Sequence, residues 1–85
     1  MDYVVRTPRQ LGEILKSRRA QRGLTQSSAG KMVGLLQDAV SNIENGTKHP
    51  TTTTLFKLLS ALELELVIRD KHVDIGTSAN KKARW

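Results

Sequence analysis

The chain contains no cysteine and only two histidines among its 85 residues. Without cysteine, neither a disulfide framework nor a thiolate metal site is possible. The histidines, His49 and His72, have no neighbours at metal-ligand spacing. The longest apolar stretches fall far short of the roughly 20 residues that cross a bilayer. We therefore expect one small domain that has no metal centre and no transmembrane segment.

The sequence also lacks the groupings on which enzyme active sites depend. No nucleophile with a nearby base and no phosphate-binding loop is visible, so an enzyme is not expected, and neither is a cofactor. The N-terminal segment, MDYVVRTP, does not have the basic start and apolar core of a signal peptide. We expect a cytoplasmic protein and, if it binds DNA, one associated with the nucleoid.

Basic residues outnumber acidic ones by fourteen to eight, which gives a net charge of +6 at pH 7. The excess lies at the two ends of the chain. Residues 1–22 have six basic and two acidic side chains, and residues 71–85 have four basic and one acidic. Such an excess favours contact with phosphate groups without reading a base sequence. Many small proteins are also basic, so charge alone leaves the partner open.

Helix start signals predict a first helix behind a short N-terminal arm. In Thr7-Pro8, a threonine N-cap precedes a proline at the first helical position. This helix is expected to reach about Arg22, where a glycine stops it. Residues 1–6 form the arm, and its two valines, Val4 and Val5, are expected to pack on the core.

Residues 23–46 predict two short helices joined by a tight turn. Thr25 is a candidate N-cap for a helix over about 26–33, and Gly34 stands where that helix must turn. A second helix is predicted over about 37–45, with Asn45-Gly46 as its end signal. Two helices and a tight turn within about twenty residues form a helix-turn-helix unit, whose second helix enters a DNA major groove.

The C-terminal part predicts a fourth helix followed directly by a strand. Thr52 is the expected cap of this helix, and its apolar stripe consists of Leu55, Phe56, Leu58, Leu59 and Leu62. In residues 64–69, LELVIR, the apolar period changes to two. A lone strand leaves backbone groups unpaired, so we expect it to pair with the same strand of a second protomer. The expected dimer-interface residues are Leu64, Leu66 and Ile68; a continued helix is the alternative.

The helix-turn-helix segment resembles the phage-repressor/Cro (XRE) family. The residues that carry the resemblance are Gly23, Leu24, Thr25, Gln26, Gly34, Gln37, Val40, Ser41, Ile43, Glu44, Asn45 and Gly46. The resemblance implies an all-α, lambda-repressor-like fold of four helices, with a structural ion pair between Arg19 and Glu44. Two positions depart from the pattern: Gly30 replaces the usual alanine, and Leu36 replaces the usual Ser/Thr cap of the third helix.

Polar residues of the third helix are the candidates for reading DNA bases. A glutamine can bond adenine N6 and N7 together, and an aspartate can accept from cytosine. The expected base contacts are Gln37, Asp38, Ser41 and Asn42. By the family resemblance, Gln26 braces the unit and touches the DNA backbone. The full set of backbone-contact candidates is Thr25, Gln26, Ser27, Asn45, Thr47 and Lys48.

The two ends of the chain are similar to those of HipB-type antitoxins. The similarity rests on Thr7-Pro8, on the segment LFKLLSALELEL that runs into a strand, and on the terminal Trp85. It implies a homodimer with a two-stranded lid that binds a palindromic operator and represses its own operon. The implied partner is a HipA-type Ser/Thr kinase toxin, held inactive in the complex.

The expected organisation is therefore an arm (1–6), a DNA-binding and dimerisation domain (7–70), and a flexible basic tail (71–85). The tail would bind the kinase through Trp85 or mark the protein for proteolysis. A stand-alone XRE regulator of phage or restriction–modification genes remains an alternative function. A helical adaptor that binds only protein is a further one.

Overall fold

The structure, a computed structural model, describes residues 2–71 and consists there of four helices. These are α1 (Pro8–Gln21), α2 (Gln26–Met32), α3 (Gln37–Asn45) and α4 (Thr52–Ala61). The predicted four-helix, all-α architecture is confirmed. Predictions for residues 72–85, including those for Trp85, lie outside the described residues. No helix within residues 2–71 has the length and apolarity needed to cross a bilayer.

Threonine side chains cap three of the four helices. The Thr7 hydroxyl accepts a hydrogen bond from the backbone N–H of Gln10 at 3.1 Å. Thr25 accepts from the N–H of Ser28 at 2.9 Å, and the Ser28 hydroxyl accepts from the N–H of Thr25 at 2.8 Å. This reciprocal pair is a capping box, which satisfies two backbone donors at the start of α2.

The cap of α4 is Thr51, and the prediction of Thr52 was wrong. Thr51 has extended backbone angles, and its hydroxyl accepts from the N–H of Thr54 at 3.1 Å. A run of four threonines offers neighbouring candidates of the same chemistry, so the pattern could not select among them. At α3 the expected loss of a cap is seen, because Leu36 makes no side-chain hydrogen bond there.

The hydrophobic core lies where α1, α3 and α4 meet. Its buried side chains are Leu15, Val40, Ile43, Leu58, Leu59 and Leu62, and Leu11, Leu24, Leu35, Leu55 and Leu64 pack around them. Leu55, Leu58, Leu59 and Leu62 follow the spacing of one helix face. This face therefore supplies half of the buried core side chains, Leu58, Leu59 and Leu62.

Three residues predicted to join the core do not. Phe56 is 51% exposed because it lies beside the Leu55–Leu58–Leu59–Leu62 stripe and points off its edge. Val4 and Val5 are also exposed, since the arm precedes the first helix and has no regular structure to hold it against the core.

Two glycines allow close approach or a sharp turn. Gly12 of α1 packs against the last turn of α3, where an added Cβ would stand 2.6 Å from the carbonyl oxygen of Ile43. Gly34 has a φ of +76°, which glycine adopts without steric cost, and it makes the predicted turn between α2 and α3. Together they bring α1 and α2 onto α3 and fix its position.

The chain leaves α4 through a left-handed turn at Glu63, whose φ is +57°. The N–H of Leu64 donates to the carbonyl oxygen of Leu59 at 2.8 Å and closes the helix end. The alternative of a continued helix over 64–69 is therefore wrong. Residues 64–70 also form no strand within this single protomer, which provides no strand to pair with. The pairing between two protomers stays a prediction.

Candidate nucleic-acid interface

The third helix has one buried face and one outward polar face. Val40, Ile43 and Glu44 are at most 5% exposed and hold α3 on the rest of the domain. The opposite face carries the predicted base contacts. Gln37 and Asp38 are exposed in its first turn, while Ser41 and Asn42 are half-buried one turn further on. All four predicted base-reading side chains are thus on or beside the outward face.

Hydrogen bonds along this face orient its half-buried members. The Asn45 amide donates from Nδ2 to Ser41 Oγ at 3.3 Å, which leaves the Ser41 hydroxyl proton available. Thr47 Oγ1 donates to Asn42 Oδ1 at 3.2 Å. Because the amide oxygen of Asn42 is turned toward Thr47, its NH₂ group remains available to donate. The loop after α3 therefore helps set which chemical group Asn42 offers.

Below α3 lies a buried salt bridge between Arg19 of α1 and Glu44. Arg19 Nε donates to Glu44 Oε2 at 2.6 Å and Nη2 donates to Oε1 at 3.0 Å, while Nη1 donates to the carbonyl of Leu24 at 2.8 Å. The hydrogen bond to Glu44 raises the pKa of Arg19 above its ordinary value, against the opposing effect of burial. A largely buried pair with three hydrogen bonds from the guanidinium group fixes geometry more surely than it adds stability.

Gln26 connects this pair to the start of the third helix. Its Nε2 donates to Glu44 Oε1 at 3.1 Å, and its Oε1 accepts from Gln37 Nε2 at 3.4 Å. Gln26 thus lies between α2 and α3 with both ends of its amide in use. These two contacts give Gln26 the bracing position that the family resemblance implies.

The backbone-contact candidates lie on two sides of α3. Thr25, Gln26 and Ser27 begin α2, and the other candidates, Asn45, Thr47 and Lys48, belong to the end of α3 and the loop after it. The Thr25 hydroxyl is already used, since it caps α2 and donates to Ser28 Oγ at 3.0 Å. The role of Ser28 was not predicted, although its spacing from Thr25 is that of a capping box.

Three of the six cations in residues 1–22 make long-range contacts within the domain, and a fourth, Arg9, lies 3.7 Å from Glu13 in an exposed pair. Arg19 pairs with Glu44, Arg18 Nε donates to the carbonyl of Leu62 at 3.1 Å, and Arg22 Nη1 lies 2.6 Å from Glu63 Oε1. The basic excess of this region is therefore partly structural, which charge counting could not reveal. Arg18 and Arg22 are four residues apart and lie on one side of α1, which was a usable signal that both contact one segment, the end of α4 at Leu62 and Glu63.

Leu36 stands at the N-cap position of α3 and is 79% exposed. It precedes Gln37 directly, so an apolar side chain borders the predicted base-reading residues. Within residues 2–71, no group of three or more His, Asp or Glu side chains is placed to hold a metal ion. The outward face of α3 carries the polar side chains that are predicted to read base edges.

Known proteins similar to this chain have the same helix-turn-helix arrangement. The Helix-turn-helix family model matches residues 15–68. Antitoxin HipB of Escherichia coli strain K12 is 36% identical over 80 residues, which cover 93% of this chain and 91% of that protein. The chain belongs to the HipB-like branch of the helix-turn-helix family. The resemblance predicted from the sequence is confirmed.

Solved structures extend the comparison to three dimensions. The HipB-like chain matches one chain of a HipA–HipB–O2–O3 complex with a TM-score of 0.77 and 38% identity, covering 84% of this chain and all of that one. The P22 c2 repressor in complex with synthetic operator 9T matches with a TM-score of 0.62 and 30% identity, covering 72% of this chain and 88% of that one. These relatives are an antitoxin and a repressor, which confirms that the chain is no enzyme.

Proposed function

We propose that this HipB-like chain is a sequence-specific DNA-binding repressor and the antitoxin of a HipA-type Ser/Thr kinase toxin, and that it represses its own operon. The observation that carries this proposal is the extent of the similarity to HipB, which covers 93% of the chain. A similarity confined to the DNA-binding unit would support only a regulator. The HipA–HipB–O2–O3 complex further supports a kinase partner and an operator for a chain of this type.

In this function the outward face of α3 enters the major groove of the operator. Gln37, Asp38, Ser41 and Asn42 read base edges from that face. Asp38 repels phosphates, so we assign it to selectivity and not to affinity. Phosphates on either side are contacted by Gln26, Ser27, Asn45, Thr47 and Lys48, and by Thr25 when its hydroxyl proton turns from Ser28 Oγ to a phosphate oxygen.

The proposed repressor is a homodimer joined by residues 64–69. Leu64 packs on the core, while Leu66 and Ile68 are 51% and 90% exposed in a single protomer. Antiparallel pairing with a second copy would cover these two side chains and satisfy the backbone groups between them. The two α3 helices then read a palindrome with half-sites about one helical turn, or a small multiple of it, apart.

The remaining parts of the proposal concern the two ends of the chain. Residues 1–6 are the arm, 7–70 the DNA-binding and dimerisation domain, and 71–85 a basic tail. Trp85 anchors residues 71–85 in the kinase or marks the antitoxin for degradation, because a large aromatic side chain within a polar segment suits a partner's pocket. The protein works in the cytoplasm, in association with the nucleoid.

A stand-alone regulator is the second candidate, and the match to the P22 c2 repressor favours it. That match covers less of the chain than the HipA–HipB–O2–O3 match and has a lower TM-score, 0.62 against 0.77. Since the additional similarity to HipB lies beyond the DNA-binding unit, we place the antitoxin first.

The test begins with gel shift and footprinting on the DNA upstream of the gene, at two salt concentrations, with random DNA of equal length as control. We expect a palindromic footprint whose affinity exceeds that for random DNA by a factor of roughly 10³ or more at the higher salt concentration. Weak, salt-sensitive and unpatterned binding would remove the repressor from the proposal and favour the protein-binding adaptor.

A second measurement separates the antitoxin from the stand-alone regulator. The full chain is co-expressed with a HipA-type kinase encoded beside it, and kinase activity is followed with and without the antitoxin. A stable complex in which the kinase is inactive supports the antitoxin. A palindromic footprint without any effect on the kinase leaves the stand-alone regulator as the function.

A further inference from the structure

Two arginines of α1 hold the point at which the chain leaves α4. Arg18 Nε donates to the carbonyl oxygen of Leu62 at 3.1 Å, and Arg22 Nη1 lies 2.6 Å from Glu63 Oε1. The arginines are about one helical turn apart and their partners are adjacent in the chain, so one side of α1 contacts both. We call residues 62–64, from which the expected dimer strand extends, the strand root.

The same helix is fixed against α3. Gly12 lets the backbone of α1 approach the last turn of α3, where an added Cβ would stand 2.6 Å from the carbonyl oxygen of Ile43. The Arg19–Glu44 salt bridge joins the two helices again, about two turns further along α1. Helix α1 therefore connects the helix that is expected to enter DNA with the strand root.

The backbone of Glu63 sets the direction in which residues 65–69 leave the domain. Its φ of +57° is left-handed, a conformation that residues with a Cβ adopt at a cost and that persists where surrounding contacts hold it. The next residue, Leu64, is held by its N–H bond to the carbonyl oxygen of Leu59 and by packing on the core. The salt bridge to Arg22 adds a contact on the Glu63 side chain itself, from a different helix. A change at this bridge would therefore alter the direction of the strand while the core stays in place.

We propose that the salt bridge between Arg22 and Glu63 fixes the angle between the DNA-binding domain and residues 64–69, and thereby the half-site spacing that the dimer accepts. Arg18, Arg22 and Glu63 are positioning residues, because they act through the strand and contact no base. The inference rests on the proposed homodimer and its palindromic operator, and it names what determines the distance between the two half-sites.

Two-fold symmetry makes the accepted spacing sensitive to this angle. A rotation at the strand root occurs in both protomers, so it displaces both α3 helices. One base pair inserted between the half-sites moves them apart by about 3.4 Å and turns them by about 35° around the DNA axis. A fixed angle therefore selects one spacing, whereas a free angle lets the two α3 helices follow a changed spacing.

Two variants break the salt bridge with opposite changes in net charge. Arg22→Met removes a cation, and Glu63→Asn removes an anion. Asparagine is too short to keep the contact with Arg22 but adopts left-handed backbone more readily than glutamate, so Glu63→Asn retains the turn. A change that both variants share comes from the lost bridge and not from an altered attraction to phosphates. Lys16→Met is the control, because it removes an exposed cation from the same helix.

Both bridge variants should stay folded, as circular dichroism and thermal unfolding would show. The side chains of Arg22 and Glu63 are 28% and 66% exposed, and salt bridges of this kind add little to stability. Leu66 and Ile68 are unchanged, so sedimentation should give a dimer for both variants, as for the wild type.

The first measurement is the dissociation constant for operators whose half-sites are moved apart or together by single base pairs. The wild type should lose affinity by about 10-fold or more for one base pair, a loss of the size that one mismatched base pair causes. In Arg22→Met and Glu63→Asn this loss should become several-fold smaller, whereas Lys16→Met should retain it. Because the loss is a ratio between two operators, a general decrease in stability or affinity cancels from it.

The second measurement uses the free dimer. The chain has no cysteine, so Lys31→Cys, at an exposed position of α2, provides a single spin-label site in each protomer. Electron–electron double resonance should give a narrow distribution of label-to-label distances for this background and for Lys16→Met. The distribution should be broader when Arg22→Met or Glu63→Asn is added.

The outcomes separate this inference from the function on which it rests. A monomeric wild type, or one without a palindromic footprint, contradicts the proposed function. A wild-type dimer that binds its palindrome but tolerates all spacings equally overturns the inference alone. Unchanged spacing losses in both bridge variants also overturn it, as does a change in only one of them, which would be an effect of charge. A wider spacing tolerance and broader label distances in both variants support it.

Discussion

Arg22 and Glu63 form a salt bridge, with 2.6 Å between Nη1 and Oε1, that joins the end of α1 to the residue after the C-cap of α4. Glu63 makes this contact from a left-handed backbone conformation, with a φ of +57°. Residues other than glycine and asparagine adopt this backbone conformation at a cost in free energy. The position therefore combines an electrostatic contact with a backbone that favours glycine.

Two substitutions of Glu63 separate these effects. Both Glu63→Gly and Glu63→Ala remove the carboxylate, but only glycine relieves the left-handed backbone. We expect Glu63→Gly to have a free energy of unfolding about 1 kcal/mol higher than Glu63→Ala. Urea denaturation at equal protein concentration measures the difference. Equal stabilities would show that the turn relaxes to suit alanine.

Glu63→Gln should lower the free energy of unfolding by at most about 1 kcal/mol, because the Glu63 side chain is 66% exposed.

Gly30→Ala should destabilise the domain, although alanine is usual at this position in the resembling family. An added Cβ would stand 2.5 Å from the carbonyl oxygen of Leu35, in the turn before α3. Overpacking of this kind costs about 1–3 kcal/mol, which outweighs or cancels a helix-propensity gain of about 1 kcal/mol. Thermal unfolding checks this, with Lys31→Ala on the exposed side of α2 as control. A clear gain in stability for Gly30→Ala would mean that the turn can shift.

Leu66→Asp should break the proposed dimer. A charge placed in the expected strand pairing would be buried without a partner, which strongly disfavours association. Val67→Asp is the matched control, because alternate residues of a strand point to opposite faces. Sedimentation should give a monomer for Leu66→Asp and a dimer for Val67→Asp at the same concentration. A dimeric Leu66→Asp variant would remove the shared strand from the proposal.

Gln37→Ala should lower operator affinity by about 1–3 kcal/mol and leave binding to random DNA nearly unchanged. The reason is that base contacts provide sequence preference while phosphate contacts do not. Lys48→Ala is the contrasting variant: we expect it to weaken binding to both DNAs alike and to reduce the salt slope by about one. Equal losses on operator and random DNA for Gln37→Ala would show that Gln37 reads no base.

Leu36→Ala tests whether this exposed apolar side chain contacts a thymine methyl group. Replacing thymine by uracil in the operator removes only that methyl. We expect Leu36→Ala to weaken binding by roughly 1 kcal/mol on the thymine operator, with little effect once the contacted thymine is uracil. Similar losses on both DNAs would place Leu36 away from any methyl group. Since Leu36 is 79% exposed, the stability of the domain should not change.

Local signals in the sequence predicted the elements of this fold well. The bounds of α3 are those predicted, because Gly34 makes the turn that precedes the helix and Gly46 ends it, both with left-handed backbone that favours glycine. The cap of α4 was missed by one residue among four identical threonines. The exposure of Phe56 was missed because its place at the edge of the stripe depends on how α4 packs, which the pattern alone does not contain.

The site was less predictable than the fold. Helical spacing placed the candidate base contacts on one face of α3, and the family resemblance suggested the Arg19–Glu44 pair. Neither indicated that Gln26 would bond both Glu44 and Gln37, because these contacts join residues distant in sequence. The partners of Arg18 and Arg22 were missed for the same reason, since a charge count gives no pairing.

The uncovered side chains of Leu66 and Ile68 have a consequence for how the protein responds to its own abundance. If a second copy is needed to cover them, the dimer population rises with the square of the monomer concentration when protein is scarce. Operator occupancy would then change more steeply than the concentration of the chain as the chain is synthesised or degraded. A modest fall in antitoxin level would release the promoter disproportionately, and new synthesis would restore repression with the same steepness.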